Sequence, residues 1–169
     1  MTKKTLLIIW HSRTGASQQL AQAAWRGAQE AFAALEVADS HQAQLQSAMA
    51  TTPHQLRQAS AYIFCAPENL ASLSGEMKAF FDRCYYAVLD QLNGRPYAAI
   101  ISAGSDGQQA LKQLQRICTG WRLDEAWPPY ICQLGAQTGA EIWAPKHLRP
   151  QQQTPAYELG ANLAGLIAL

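Results

Sequence analysis

The run Ser12-Arg13-Thr14-Gly15-Ala16-Ser17 gathers hydroxyls, a guanidinium and a glycine within one short stretch. It lies between an apolar segment, Leu6–Trp10, and a stretch of helical periodicity. A strand turning into a helix there presents the first N–H groups of that helix. Those groups lack intrahelical partners, and the positive end of the helix dipole stands behind them. Such a turn suits a phosphate group. An ordinary glycine turn with Ser17 near the helix cap uses the same residue types, so both readings stay open at this point. Two further segments follow apolar runs and are rich in small and polar residues. One is Ala66-Pro67-Glu68-Asn69-Leu70-Ala71-Ser72-Leu73-Ser74-Gly75; the other is Ala103-Gly104-Ser105-Asp106-Gly107. Their backbone N–H and C=O groups could grip a planar, partly polar ligand. Strand ending by Pro67, helix capping by Ser74-Gly75 and a plain turn at Gly104 and Gly107 are the structural alternatives.

These segments need a scaffold, and apolar periodicity supplies one. Strands are expected at Leu6–Trp10, Ala61–Cys65, Tyr97–Ile101 and Tyr130–Leu134, with a short one around Leu35–Ala38. A helix is expected from about Ala16 to Leu35, with Leu20, Ala24, Gly27 and Ala31 on one face, widened by Trp25, Ala28 and Phe32. Thr52-Pro53-His54-Gln55 reads as a capping box with proline at the first helical position. Met77, Phe80, Phe81, Cys84 and Val88 stripe another helix that runs to Asn93-Gly94. Leu111, Leu114, Ile117 and Cys118 stripe the next, closed by Gly120. Gly135 to Gln153 reads as a long irregular connection, and Thr154-Pro155 as the cap of a last helix. Alternating strands and helices imply a parallel sheet, whose ligands sit beyond the carboxyl ends of the strands. All three polar segments would then open on one edge. The length, 169 residues, suits one domain spanning 1–169.

Composition excludes several functions. Net charge is +1, from 13 basic and 12 acidic residues, which gives no field for nucleic acid. No apolar run reaches the ~20 residues of a membrane span. Cys65, Cys84, Cys118 and Cys132 form no metal-binding spacing and read as buried, reduced thiols of a cytoplasmic protein. The G-x-x-x-x-G-K-[ST], G-x-G-x-x-G and G-x-S-x-G patterns are absent, which argues against triphosphate hydrolysis, a Rossmann dinucleotide site and a serine esterase. Asp82 and Arg83 are adjacent on a helix and do not face each other, so they read as surface or anchoring charges.

From about Lys4 to Leu134 the chain resembles the flavodoxin-like superfamily, in its NAD(P)H-dependent FMN reductase or quinone reductase branch. Ser12–Ser17 resembles its phosphate loop. Ala66-Pro-Glu-Asn-Leu70 with Ser74-Gly-Glu-Met-Lys-Ala-Phe-Phe-Asp-Arg83 resembles its first flavin-ring loop, and Ser102–Gly107 the second. The resemblance implies a three-layer α/β sandwich on a five-stranded parallel sheet of order 2-1-3-4-5. It implies non-covalent FMN, with Ser12, Arg13, Thr14, Gly15, Ala16 and Ser17 around the phosphate. Pro67, Glu68, Asn69 and Leu70 would line the ring on one side, and Ala103, Gly104, Ser105 and Gly107 on the other. It also implies NAD(P)H as donor, a small acceptor such as a quinone, and a homodimer or homotetramer. No side chain is expected to act as acid or base. The chain departs from the family at His11, where an aromatic is commoner, at Leu70, where tyrosine is common, and in a third loop without an aromatic. A flavodoxin-type electron carrier and a cofactor-free regulatory member are the rival readings.

Overall fold

Leu6, Leu7, Ile8 and Ile9 are buried on both faces of one strand, as a central parallel strand between two helical layers requires. The computed structural model describes residues 3–169. Its elements are β1 (Lys4–Trp10), α1 (Ala16–Ala34), β2 (His41–Ser47), α2 (Pro53–Gln58), β3 (Ala61–Asn69), β4 (Ser72–Leu73), α3 (Gly75–Val88), β5 (Pro96–Ala103), α4 (Gln108–Gly120), β6 (Asp124–Glu125), β7 (Tyr130–Gln133), α5 (Gly139–Trp143) and α6 (Pro150–Ala168).

The main sheet runs β2-β1-β3-β5, and β6 and β7 both pair with the far side of β5. All these pairings are parallel. The order is therefore the expected 2-1-3-4-5, with its last place shared by two short strands. Trp127-Pro128-Pro129 separates them, because proline has no N–H to give to the ladder. Strand β4 is a separate antiparallel arm on the end of β3.

Alternation along β3 divides the core. Tyr62, Phe64 and Ala66 pack with Phe80, Phe81 and Trp121 between the sheet and α3/α4. Ile63 and Cys65 pack on the other face with Leu20, Ala24 and Leu163 of α1 and α6. Helices α1 and α6 approach until their backbones touch. A methyl group on Gly27 would overlap the Tyr157 carbonyl, and one on Gly160 the Ala24 carbonyl. All four cysteines are buried and unpaired.

Several expectations need correction. The second strand is His41–Ser47, not Leu35–Ala38; Leu35 caps α1 and the chain turns after it. In His41–Ser47 every second residue is glutamine on an edge strand, so little apolar signal marks it. Ala66–Leu73 is not a loop but a β-hairpin, since β3 continues to Asn69 and pairs back with β4. Helix α3 stops at Val88, where Leu89 leaves helical geometry and Asp90 takes a φ of 57°. The long connection contains α5, and α6 starts at Pro150, leaving Pro155 inside its early turns. No helix of the described residues is long and apolar enough to cross a membrane.

Candidate functional site

Strands β1, β3 and β5 are neighbours, so the segments that leave their carboxyl ends lie side by side on one edge. Each leads into a helix, α1, α3 or α4, whose amino-terminal end lies on that edge. Gly15 caps α1 with φ 98° and ψ −11°, a left-handed conformation that favours glycine. The first bond reaching back to that cap joins the Gln19 N–H to the Gly15 carbonyl at 3.1 Å. The N–H groups of Ala16, Ser17 and Gln18 precede it and have no partner within the helix. The Gly15 N–H donates to Ser12 Oγ at 3.0 Å, which closes the turn beneath them.

The side chains of this turn are more committed than their types suggest. Arg13 forks onto both carboxylate oxygens of Glu76, at 3.0 and 3.1 Å. Ser17 is buried and shares a 2.7 Å hydrogen bond with Ser102 Oγ on β5. Its carbonyl accepts the Cys65 thiol at 3.1 Å, and burial pushes that thiol far up from its usual range. Ser17 therefore offers the edge its N–H rather than its hydroxyl. Ala16 is buried as well.

The second segment is the hairpin. Asn69 pairs with Ser72 and Glu68 with Leu73. The Pro67 carbonyl accepts the Ser74 N–H at 3.1 Å. Leu70 and Ala71 form the tip with φ 51° and 61°, and the Leu70 side chain is fully exposed. Gln113 of α4 holds the arm through its side-chain oxygen, which accepts the Leu73 N–H at 2.7 Å. Glu68 Oε2 is buried and has no hydrogen-bond partner, alone among the described side chains.

The third segment is shaped by its glycines. Gly107 caps α4 at φ 87°, and a Cβ there would stand 2.7 Å from Ile131 Cγ2. At Gly104 a Cβ would stand 2.8 Å from the Ala136 carbonyl oxygen. Ala103 is buried, and its carbonyl accepts the Leu134 N–H at 2.8 Å. Ser105 is exposed.

Two features of the edge, a strap and the contacts of His11, were not expected from the sequence. The first is a strap, residues 135–149, which passes Gly104 and then crosses the first turn. The Lys146 N–H donates to the Thr14 carbonyl at 2.7 Å. Gln19 fastens it further, donating to the Lys146 and Gly15 carbonyls at 2.7 and 3.0 Å and accepting the Leu148 N–H at 2.9 Å. The second is His11, whose Nδ1 lies 2.8 Å from the buried Ser74 Oγ and whose Nε2 lies 3.7 Å from Glu76. Burial pushes the His11 imidazole below its usual pKa, and Arg13 adds to this; the Glu76 carboxylate opposes them and loses. Glu76 is held below the usual carboxylate range, first by its own backbone N–H and then by Arg13. The pair joins the first turn to the start of α3. Arg83, outside the edge, anchors the Ala48 and Thr51 carbonyls, as an anchoring charge should.

An FMN phosphate fits this edge on the chemistry of the donors. The N–H groups without intrahelical partners and the helix dipole would meet such a phosphate, while Arg13 is already paired with Glu76. No group of His, Cys, Asp and Glu suited to a metal ion occurs among the described residues.

Comparison with known proteins agrees with this geometry. No curated protein matches the sequence. Among solved structures, a flavodoxin from the domain Archaea superposes with a TM-score of 0.73 at 14% identity, over 98% of this chain and 99% of that one. A flavodoxin, WrbA-like protein from Agrobacterium tumefaciens gives 0.68 at 16% identity, over 97% of each chain. The Flv1 flavodiiron core from Synechocystis sp. PCC6803 gives 0.73 at 13% identity, over 99% of this chain but 36% of its own. These likenesses establish a flavodoxin-like fold. A family model described as NADPH-dependent FMN reductase matches residues 7–124, well over half of the sequence, and the chain belongs to that family.

Proposed function

We propose that the protein is an FMN-dependent NAD(P)H oxidoreductase that passes electrons to a small acceptor such as a quinone. The observation that carries this reading is the α1 terminus, whose N–H groups without intrahelical partners open on the same sheet edge as the hairpin and the Ala103–Gly107 turn. Family membership supports the coarser class, an FMN-binding flavoprotein oxidoreductase. Bound FMN would supply hydride acceptance from the nicotinamide and onward electron transfer.

The chain's own residues bind and orient. The N–H groups of Ala16, Ser17 and Gln18 hold the phosphate, and Ser12 and Gly15 fix the turn that aims them. Pro67, Glu68, Asn69 and Leu70 form one wall for the ring. Ala103, Gly104, Ser105 and Gly107 form the other. The third turn has only small and polar residues, which leaves that side accessible to a nicotinamide. The flavodoxin-type carrier remains the alternative, because flavodoxins share the whole fold.

Titration of the apoprotein with FMN and with riboflavin tests the phosphate assignment. FMN should bind at least about tenfold more tightly, since each charge-assisted hydrogen bond to the phosphate contributes ~1.5–3 kcal/mol. Equal affinities would overturn the site. Consumption of NADH or NADPH with a quinone present then separates enzyme from carrier.

A further inference from the structure

Gln19 uses its whole side-chain amide. Its nitrogen donates to the Gly15 and Lys146 carbonyls at 3.0 and 2.7 Å, and its oxygen accepts the Leu148 N–H at 2.9 Å. The reversed amide would set its oxygen against two carbonyls, so the partners fix its orientation. The strap that Gln19 fastens has little other hold on the body. Among the described residues 135–149, Leu148 alone is buried. Helix α5 is folded on itself, by the Thr138–Glu141 capping box and by the Lys146 ammonium on the Glu141, Ile142 and Ala144 carbonyls. A segment with so few packed side chains owes its course to the hydrogen bonds that anchor it.

Those anchors lie on the first turn. A peptide unit is planar, so holding its C=O also sets its N–H. The Lys146 N–H holds the Thr14 carbonyl at 2.7 Å, and with it the Gly15 N–H that closes onto Ser12 Oγ. Gln19 holds the Gly15 carbonyl, and with it the Ala16 N–H. These are the two peptide units on either side of Gly15, whose own backbone is the freest of any residue type. We propose that Gln19 is a positioning residue for the phosphate site: it clasps the strap and Gly15 together and so preorganises the N–H groups of the turn for a phosphate monoester. The inference rests on the FMN reading above and deepens it. Donors fixed beforehand cost no ordering when the ligand arrives. Coupling of this kind is reciprocal, so a phosphate on the turn also tightens the strap.

Gln19→Met keeps the length of the side chain and removes all three hydrogen bonds. FMN and riboflavin, which lacks the phosphate, are titrated into both proteins. The wild type should prefer FMN by at least about tenfold. In Gln19→Met that preference should shrink at least about fivefold through lost FMN affinity, with riboflavin affinity within about twofold of wild type. A merely structural role would shift both ligands together or neither. Hydrogen exchange at the Lys146 and Leu148 amides reads the reverse coupling. In the wild type, saturating FMN should slow it at least about tenfold more than saturating riboflavin does. An undiminished preference in Gln19→Met, or exchange slowed equally by the two flavins, would overturn the assignment. If Gln19→Met does not fold, the wild-type exchange decides alone. A wild type with no preference for FMN would overturn the phosphate site itself, which is a separate outcome.

Discussion

Gly15 shows how one residue serves two ends. At φ 98° any L-residue is strained, although a Cβ there would meet its nearest neighbours, Gln19 Nε2 and the Lys146 carbonyl, at ordinary distances of 3.5 and 3.6 Å. Gly15→Ala should therefore cost ~1–2 kcal/mol of apoprotein stability through backbone strain. It should weaken FMN binding as well, by displacing the N–H groups that follow. Denaturant midpoints and FMN titrations on the same variant measure both. His11 makes a prediction about pH. Burial lowers its folded-state pKa below the unfolded value near 6.5, so the unfolded chain binds more protons in the window beneath that value. Stability should fall as pH drops below about 6.5 and through the folded-state pKa. His11→Gln should flatten that part of a urea-midpoint profile; an unchanged slope would show that His11 is not its source. The glycine at position 15 and the hydroxyls around it were legible in the sequence as a turn before a helix. The commitment of Arg13 to Glu76 and of Ser17 to Ser102 was not, because both partners lie far away in the chain.

At the scale of elements, the contact between α1 and α6 is the most demanding packing in the fold. A methyl group at Gly160 would overlap the Ala24 carbonyl, and one at Gly27 the Tyr157 carbonyl. Backbone cannot yield as a side chain tip can, so Gly160→Ala should destabilise by at least ~1–3 kcal/mol, against a gain in helix propensity of ~1 kcal/mol for an open position. Gly165→Ala, with nothing nearby, is the control, and thermal midpoints of the two variants should move in opposite directions. Elements with strong apolar periodicity, β1, β3 and α4, were readable in advance. Strand β2 was not, because glutamine alternates there with His41, Ala43, Leu45 and Ser47, of which only Ala43 and Leu45 are apolar. The hairpin was hidden for another reason. Two-residue turns of this kind favour Asn-Gly, and here Leu70 and Ala71 take the left-handed positions. Helix α5 did carry a signal: Thr138 and Glu141 form a capping box of the type recognised at Thr52 and Gln55.

For the whole molecule, the parallel sheet brings three strand ends to one edge and the strap adds a fourth segment across it. The convergence of the three turns followed from alternating strands and helices alone. The strap did not, since outside the short helix α5 its chain has no period and its anchor, Gln19, looks like any polar residue of a helix. The central claim is that this edge holds FMN where a nicotinamide can reach it. Anaerobic stopped-flow mixing of the FMN-loaded protein with NADH or NADPH, followed at the flavin absorbance, tests it most directly. The account predicts bleaching by at least one nucleotide, with return of absorbance when a quinone is added. Bleaching by dithionite but by neither nucleotide would contradict it and leave the electron-carrier reading in its place.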